Sequence, residues 1–247
     1  MTGILVRSIW FPADSRLTEV NPGSVFQLIA ARGEASALDI YDDRVRVGHL
    51  TIEAAPLKKG SEALTRVKLS GQIHPDSGML SGANLNFNGW LELNHLGDLQ
   101  SYRLSLMTIK PSFELTMVQA SPQAAPDLLV KQDRTVILDS TRLDSTRPEA
   151  SPLLGFIMGA LGISAADFKQ IQAEAEAKAA ALKIEARQGK FDLAGSPRQG
   201  FVLKIGSPGK PGYRLCIENT GEIVRLETPV SYHLMTESVR ADTIPLP

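Results

Sequence analysis

One cysteine, Cys216, leaves no partner for an intramolecular disulfide and nothing from which to build a cysteine-based structural zinc site. It sits between apolar neighbours in Tyr213-Arg214-Leu215-Cys216-Ile217, which marks an inert, strand-borne thiol rather than a nucleophile. An excess of either charge is also missing: 26 Lys and Arg face 27 Asp and Glu, for a formal net charge of -1. That balance removes the electrostatic footprint of a dedicated nucleic-acid binder, and no nucleic-acid partner is expected. There is no run of roughly 20 apolar residues such as a spanning helix requires. The uncharged stretch from Pro152 to Ile163 has only twelve, so burial is the expectation there.

Catalytic and metal signatures are likewise missing. The histidines His49, His74, His95 and His233 fall in separate segments, without H-x-x-x-H or His/Cys grouping. Gly206-Ser-Pro-Gly-Lys-Pro-Gly212 lacks the G-K-[ST] ending of a phosphate loop, and its prolines remove donors that a phosphate needs, so it reads as a hairpin turn. No G-x-S-x-G elbow, C-x-x-C or dinucleotide fingerprint occurs. No cofactor is expected. Carboxylates are plentiful, among them Asp39, Asp42, Asp43, Asp139, Asp144, Glu218, Glu222 and Glu227, and a converging pair is what acid/base chemistry on a glycan or lipid would need. Asp42-Asp43 reads more simply as a turn.

What is present is a 43% hydrophobic composition over 247 residues, enough for one globular core. Asn21-Pro22 ahead of Val25, Phe26, Leu28 and Ile29, with Gly33 behind, combines a cap, a first-turn proline, an i, i+3, i+4 stripe and a C-terminal glycine. This predicts a short helix over 22–32. From Ser36 the period changes to two, and strands are expected at 36–41, 44–55, 63–74, 83–95, 98–109, 111–119 and 134–139. In the segment 84–94, Leu85, Phe87, Gly89, Leu91 and Leu93 fall on one face, with Asn84, Asn86, Asn88, Glu92 and Asn94 on the other. This is the alternation of a sheet wetted on one side. Leu96-Gly97-Asp98 then turns the chain into Tyr102, Leu104 and Leu106, making 83–109 an antiparallel hairpin.

Ser121 to Pro126 and Asp139 to Pro152 read as loops. A helical insert follows at about 152–182: the apolar segment, then an Ala-rich helix from 165 whose large apolar residues are Phe168, Ile171 and Leu182. Further strands are expected at 182–194, 199–206, 213–219, 222–228 and 230–237, ahead of a loose tail over 238–247 ending Ile-Pro-Leu-Pro. Residues 1–20 form an N-terminal stub. Its apolar start with Trp10 reads either as the remnant of an anchor trimmed where it leaves the bilayer, upstream of Met1, or as a core-docked terminus.

Ile40-Tyr41 followed by Val45-Arg46-Val47-Gly48-His49-Leu50, long alternating strands, a helical interruption and a closing Gly221-Glu222-Ile223-Val224-Arg225-Leu226-Glu227-Thr228-Pro229 resemble uncharacterised bacterial cell-envelope domains. In layout the chain is similar to the half-barrel of periplasmic lipoprotein-carrier proteins, with a longer helical insert. The expected fold is therefore mainly β (α+β): a curved antiparallel sheet or half-barrel over residues 21–237, covered by the insert, plus the short N-terminal helix. An imperfect cover would leave an apolar pocket lined by Leu85, Phe87, Leu91, Leu93, Leu104 and Leu106 from the sheet and Phe156, Ile157, Phe168 and Ile171 from the insert. A filled core is the plainer alternative. The resemblance implies a non-enzymatic periplasmic domain, anchored at the inner membrane, that binds an apolar ligand or an envelope protein. The alternatives are an assembly module without ligand and a hydrolase using paired carboxylates.

Overall fold

A computed structural model of the chain describes residues 17–42, 44–74, 84–108, 112–124, 127–139, 183–193, 196–206, 212–229 and 232–243. The helical insert, the stub up to Arg16 and the last four residues lie outside the described residues.

Among the described residues, fourteen strands form one antiparallel sheet. The first ten are β1 (Thr18–Val20), β2 (Ser36–Asp42), β3 (Val45–Lys59), β4 (Glu62–Ile73), β5 (Leu85–Leu93), β6 (Leu99–Thr108), β7 (Phe113–Gln119), β8 (Asp127–Gln132), β9 (Thr135–Asp139) and β10 (Lys183–Leu193). The rest are β11 (Ser196–Gly206), β12 (Tyr213–Glu218), β13 (Ile223–Glu227) and β14 (Tyr232–Met235). The order across the sheet is β1-β10-β11-β12-β13-β14-β2-β3-β4-β5-β6-β7-β8-β9. Two meanders are thus joined where β14 pairs with β2.

Helix α1 (Pro22–Arg32) forms where the sequence predicts it. The Asn21 side chain accepts from the Gly23 amide at 2.8 Å, Pro22 pre-sets the first turn, and Gly33 ends the helix at φ 70°. Its stripe of Val25, Phe26 and Ile29 enters the main core beside Leu38, Leu50, Ile52, Leu203, Ile217 and Leu234. The helix touches β3, β4 and β10. In the sheet order β10 and β3 are six places apart, which in a flat sheet is roughly 29 Å. A helix about 10–12 Å across reaches both only if the sheet curls around it. The sheet is therefore an open half-barrel with α1 in its hollow.

Sequence places glycines where the curl needs them. Gly48, Gly71 and Gly89 alternate onto the concave side of β3, β4 and β5, and a Cβ at each would run into a backbone carbonyl of the neighbouring strand: Gln72, His49 and Arg103 respectively. The Phe87 ring lies over Gly71 and the Leu104 side chain over Gly89, so the missing side chains are replaced by their neighbours'.

Several expectations need correction. The N-terminal helix lies in the hollow of the sheet; the insert expected to cover the sheet lies outside the described residues. Thr18–Val20, assigned to the stub, pairs with β10 as an edge strand. Strand β8 was not foreseen. Strand β3 runs through Pro56 to Lys59, because β2 ends its pairing opposite Ile52 and the proline has no neighbour on that side to which it would donate. The tail is not loose through its first part: Glu237–Thr243 form α2. Val239, 2% exposed, joins Leu17, Tyr41, Phe191, Val202, Cys216 and Met235 in a second cluster on the convex side. A valine able to fill that gap holds a helix that the sequence alone does not announce.

Candidate functional site

Beyond α1 the concave face continues across β5–β8 as a wing of apolar side chains in register. One row runs Phe87, Leu106, Leu115, Val130, and the next runs Gly89, Leu104, Met117, Leu128. A third joins Leu91, Tyr102 and Gln119. Strict alternation on each strand puts these residues on one face, and antiparallel pairing aligns them across strands.

Burial is uneven along this wing, and at its far end Val130 of β8 is 1% exposed. Leu93 is 1% exposed and belongs to the core around α1, and Leu85 is buried. Phe87 and Leu91 are half-buried against that core. Leu106, Leu115, Met117 and Leu128 are half-buried, and Leu104 is 37% exposed. Of the sheet residues expected to line a pocket, Leu93 and Leu85 thus serve the filled part, whereas Leu104 and Leu106 lie on the open part. Phe156, Ile157, Phe168 and Ile171 lie outside the described residues. Sequence reading missed Leu115, Met117, Leu128 and Val130; the alternation Phe113, Leu115, Met117 was a usable signal, but β8 is too short to show a period.

The wing holds few polar groups. Tyr102 donates its hydroxyl to the Met117 sulfur at 3.3 Å, and burial raises its pKa above the ordinary tyrosine value. Nearer the helix, a depression of about 330 Å³ opens between α1 and the β3–β4 hairpin, lined mainly by Ala30, Ala31, Pro56, Leu64 and His95. The β5–β6 turn closes its end. Asn94 accepts from the amides of Leu96 and Asp98, each at 2.9 Å. The His95 carbonyl lies so close to Gly23 that a side chain there has no room.

Charged groups on the convex side serve the sheet. Glu92, 2% exposed, accepts from Arg66 Nη2 at 2.5 Å, Arg66 Nε at 3.2 Å and Ser101 Oγ at 2.7 Å, with Lys59 Nζ 3.8 Å away. Burial alone would raise its pKa, but the Arg66 and Ser101 hydrogen bonds and the Arg66 and Lys59 charges outweigh that and hold the carboxyl below its ordinary value. Asp39 pairs with Arg46, Glu218 with Arg198, Glu222 with Arg32, and Glu227 with Arg214 and Arg225. These carboxylates are occupied in ion pairs, across strands for Asp39, for Glu218 and for Glu227 with Arg214, along one strand for Glu227 with Arg225, and with helix α1 for Glu222. Among the described residues, His, Cys, Asp and Glu form no group of three able to hold a metal.

The fold and this face define a class: an open, single-sheet antiparallel half-barrel with an internal helix and an apolar wing. No protein-family model, curated protein or solved structure matches the chain.

Proposed function

We propose that this chain is a non-enzymatic, extracytoplasmic envelope domain that shelters an apolar ligand, the acyl chain of a lipid or lipoprotein, on the concave wing of β5–β8. The observation that carries the reading is the register of Phe87, Leu106 and Leu115 beside Leu104, Met117 and Leu128, all of them at least partly accessible, with Leu104 37% exposed. A contiguous apolar face with few polar groups suits a ligand that asks for area rather than for hydrogen bonds. The curved open sheet also accords with the layout of periplasmic lipoprotein carriers, which supplies the compartment and the ligand class.

The test is titration with 11-dansylaminoundecanoic acid. Saturable enhancement of dansyl emission, displaced by palmitate and weakened about tenfold or more by Leu104→Glu with Met117→Glu, is the expected result. An unsaturable signal, or one untouched by the double substitution at unchanged Tm, overturns the reading.

A further inference from the structure

The convex side of the same strands carries a different surface. Thr51, Ser70 and Asn88 stand directly opposite one another on β3, β4 and β5, and the adjacent row runs Glu53, Lys68, Trp90. Both rows line a shallow depression of about 300 Å³. Ser70 and Asn88 are exposed and Thr51 and Trp90 half-buried. Within the described residues the side chains of Thr51, Ser70 and Asn88 make no hydrogen bond to another protein group.

We propose that this depression binds a neutral oligosaccharide. Hydroxyl and amide groups both donate and accept, which matches a polyol whose hydroxyls do the same. Trp90 offers an aromatic, amphipathic wall, held in place by Arg66 5.0 Å from its ring centroid. Charge argues against an anionic ligand: Lys68 lies 3.7 Å from Glu53 in the same depression, and Arg66 is committed to Glu92. Strands about 4.8 Å apart space the row across roughly 10 Å, so that successive hydroxyls of one chain meet successive strands. The site lies on the face opposite the apolar wing and stands independently of it.

The experiment is calorimetric titration of the whole chain with soluble gluco-, manno-, galacto- and N-acetylglucosamine oligomers, alongside sulfated and uronic acid oligomers. At least one neutral series binds, and Ser70→Ala with Asn88→Ala weakens it about tenfold at unchanged Tm, since each lost hydrogen bond is worth about 1 kcal/mol. Substituting the exposed Arg103→Ala, outside the depression, leaves that affinity intact. Failure of every neutral series, binding confined to the anionic oligomers, or affinity indifferent to the double substitution overturns the proposal.

Discussion

At Glu92 the sheet buries a carboxylate and surrounds it with partners. Its depressed pKa means the folded state holds the charge more firmly than the unfolded chain does. The group therefore contributes stability that is present above the unfolded value, about 4.3, and is lost as pH falls through the lower folded value. Arg66→Ala leaves the carboxylate with only Ser101 and Lys59 and is expected to cost about 1–3 kcal/mol at neutral pH. In urea melts followed from pH 7 to pH 3, the deficit against the parent shrinks on acidification; a deficit constant with pH contradicts the assignment. Gly71 tests curvature. A Cβ there meets the His49 carbonyl and the Phe87 ring, so Gly71→Ala is expected to cost about 1–3 kcal/mol in a chemical denaturation curve, where an exposed strand glycine replaced by alanine would gain. In sequence, Glu92 reads as one more residue of the wet face. Its partner Arg66 sits 26 positions away and is set opposite it only by the β4–β5 register.

Helix α1 shows what local sequence can and cannot say. Asn21, Pro22 and Gly33 specify both ends, because capping is chemistry between residues close in the chain. The helix's place in the hollow depends on β3, β4 and β10, and no local pattern encodes that. The stripe Val25, Phe26, Ile29 says that the helix must pack, not against what. Phe26→Ala removes a 5% exposed side chain from the middle of the half-barrel and should cost about 3–5 kcal/mol by equilibrium urea unfolding. A loss under about 1 kcal/mol would mean that the hollow is not packed around the helix. The hairpin 83–109 was legible for the same reason as the caps: its strands alternate cleanly, and Asn94 and Gly97 shape a turn of a few residues. Strand β8 and helix α2 were not: β8 is too short to show a period although its partner β7 is close in the chain, and α2 owes its state to the Cys216 cluster, distant in sequence, that Val239 joins.

At the scale of the molecule, the described residues form a single sheet with two unlike faces, curled around α1, which lies off-centre. The face is packed where α1 lies; on β6 and β7 it holds half-buried side chains and the exposed Leu104, and on β8 Val130 is buried again. Alternation told which side chains share that face; it gave no position for the helix, and hence no division between Leu93 and Leu104. The most direct measurement uses the burial of Cys216, which is 0% exposed and leaves an added surface cysteine free to be labelled selectively. Acrylodan on Leu104→Cys, in the wing, is compared with acrylodan on Val45→Cys, exposed at the start of β3, while palmitate is added. A saturable blue shift at position 104 with none at position 45 is the predicted result. No shift at 104, or equal shifts at both, contradicts an acyl-binding wing.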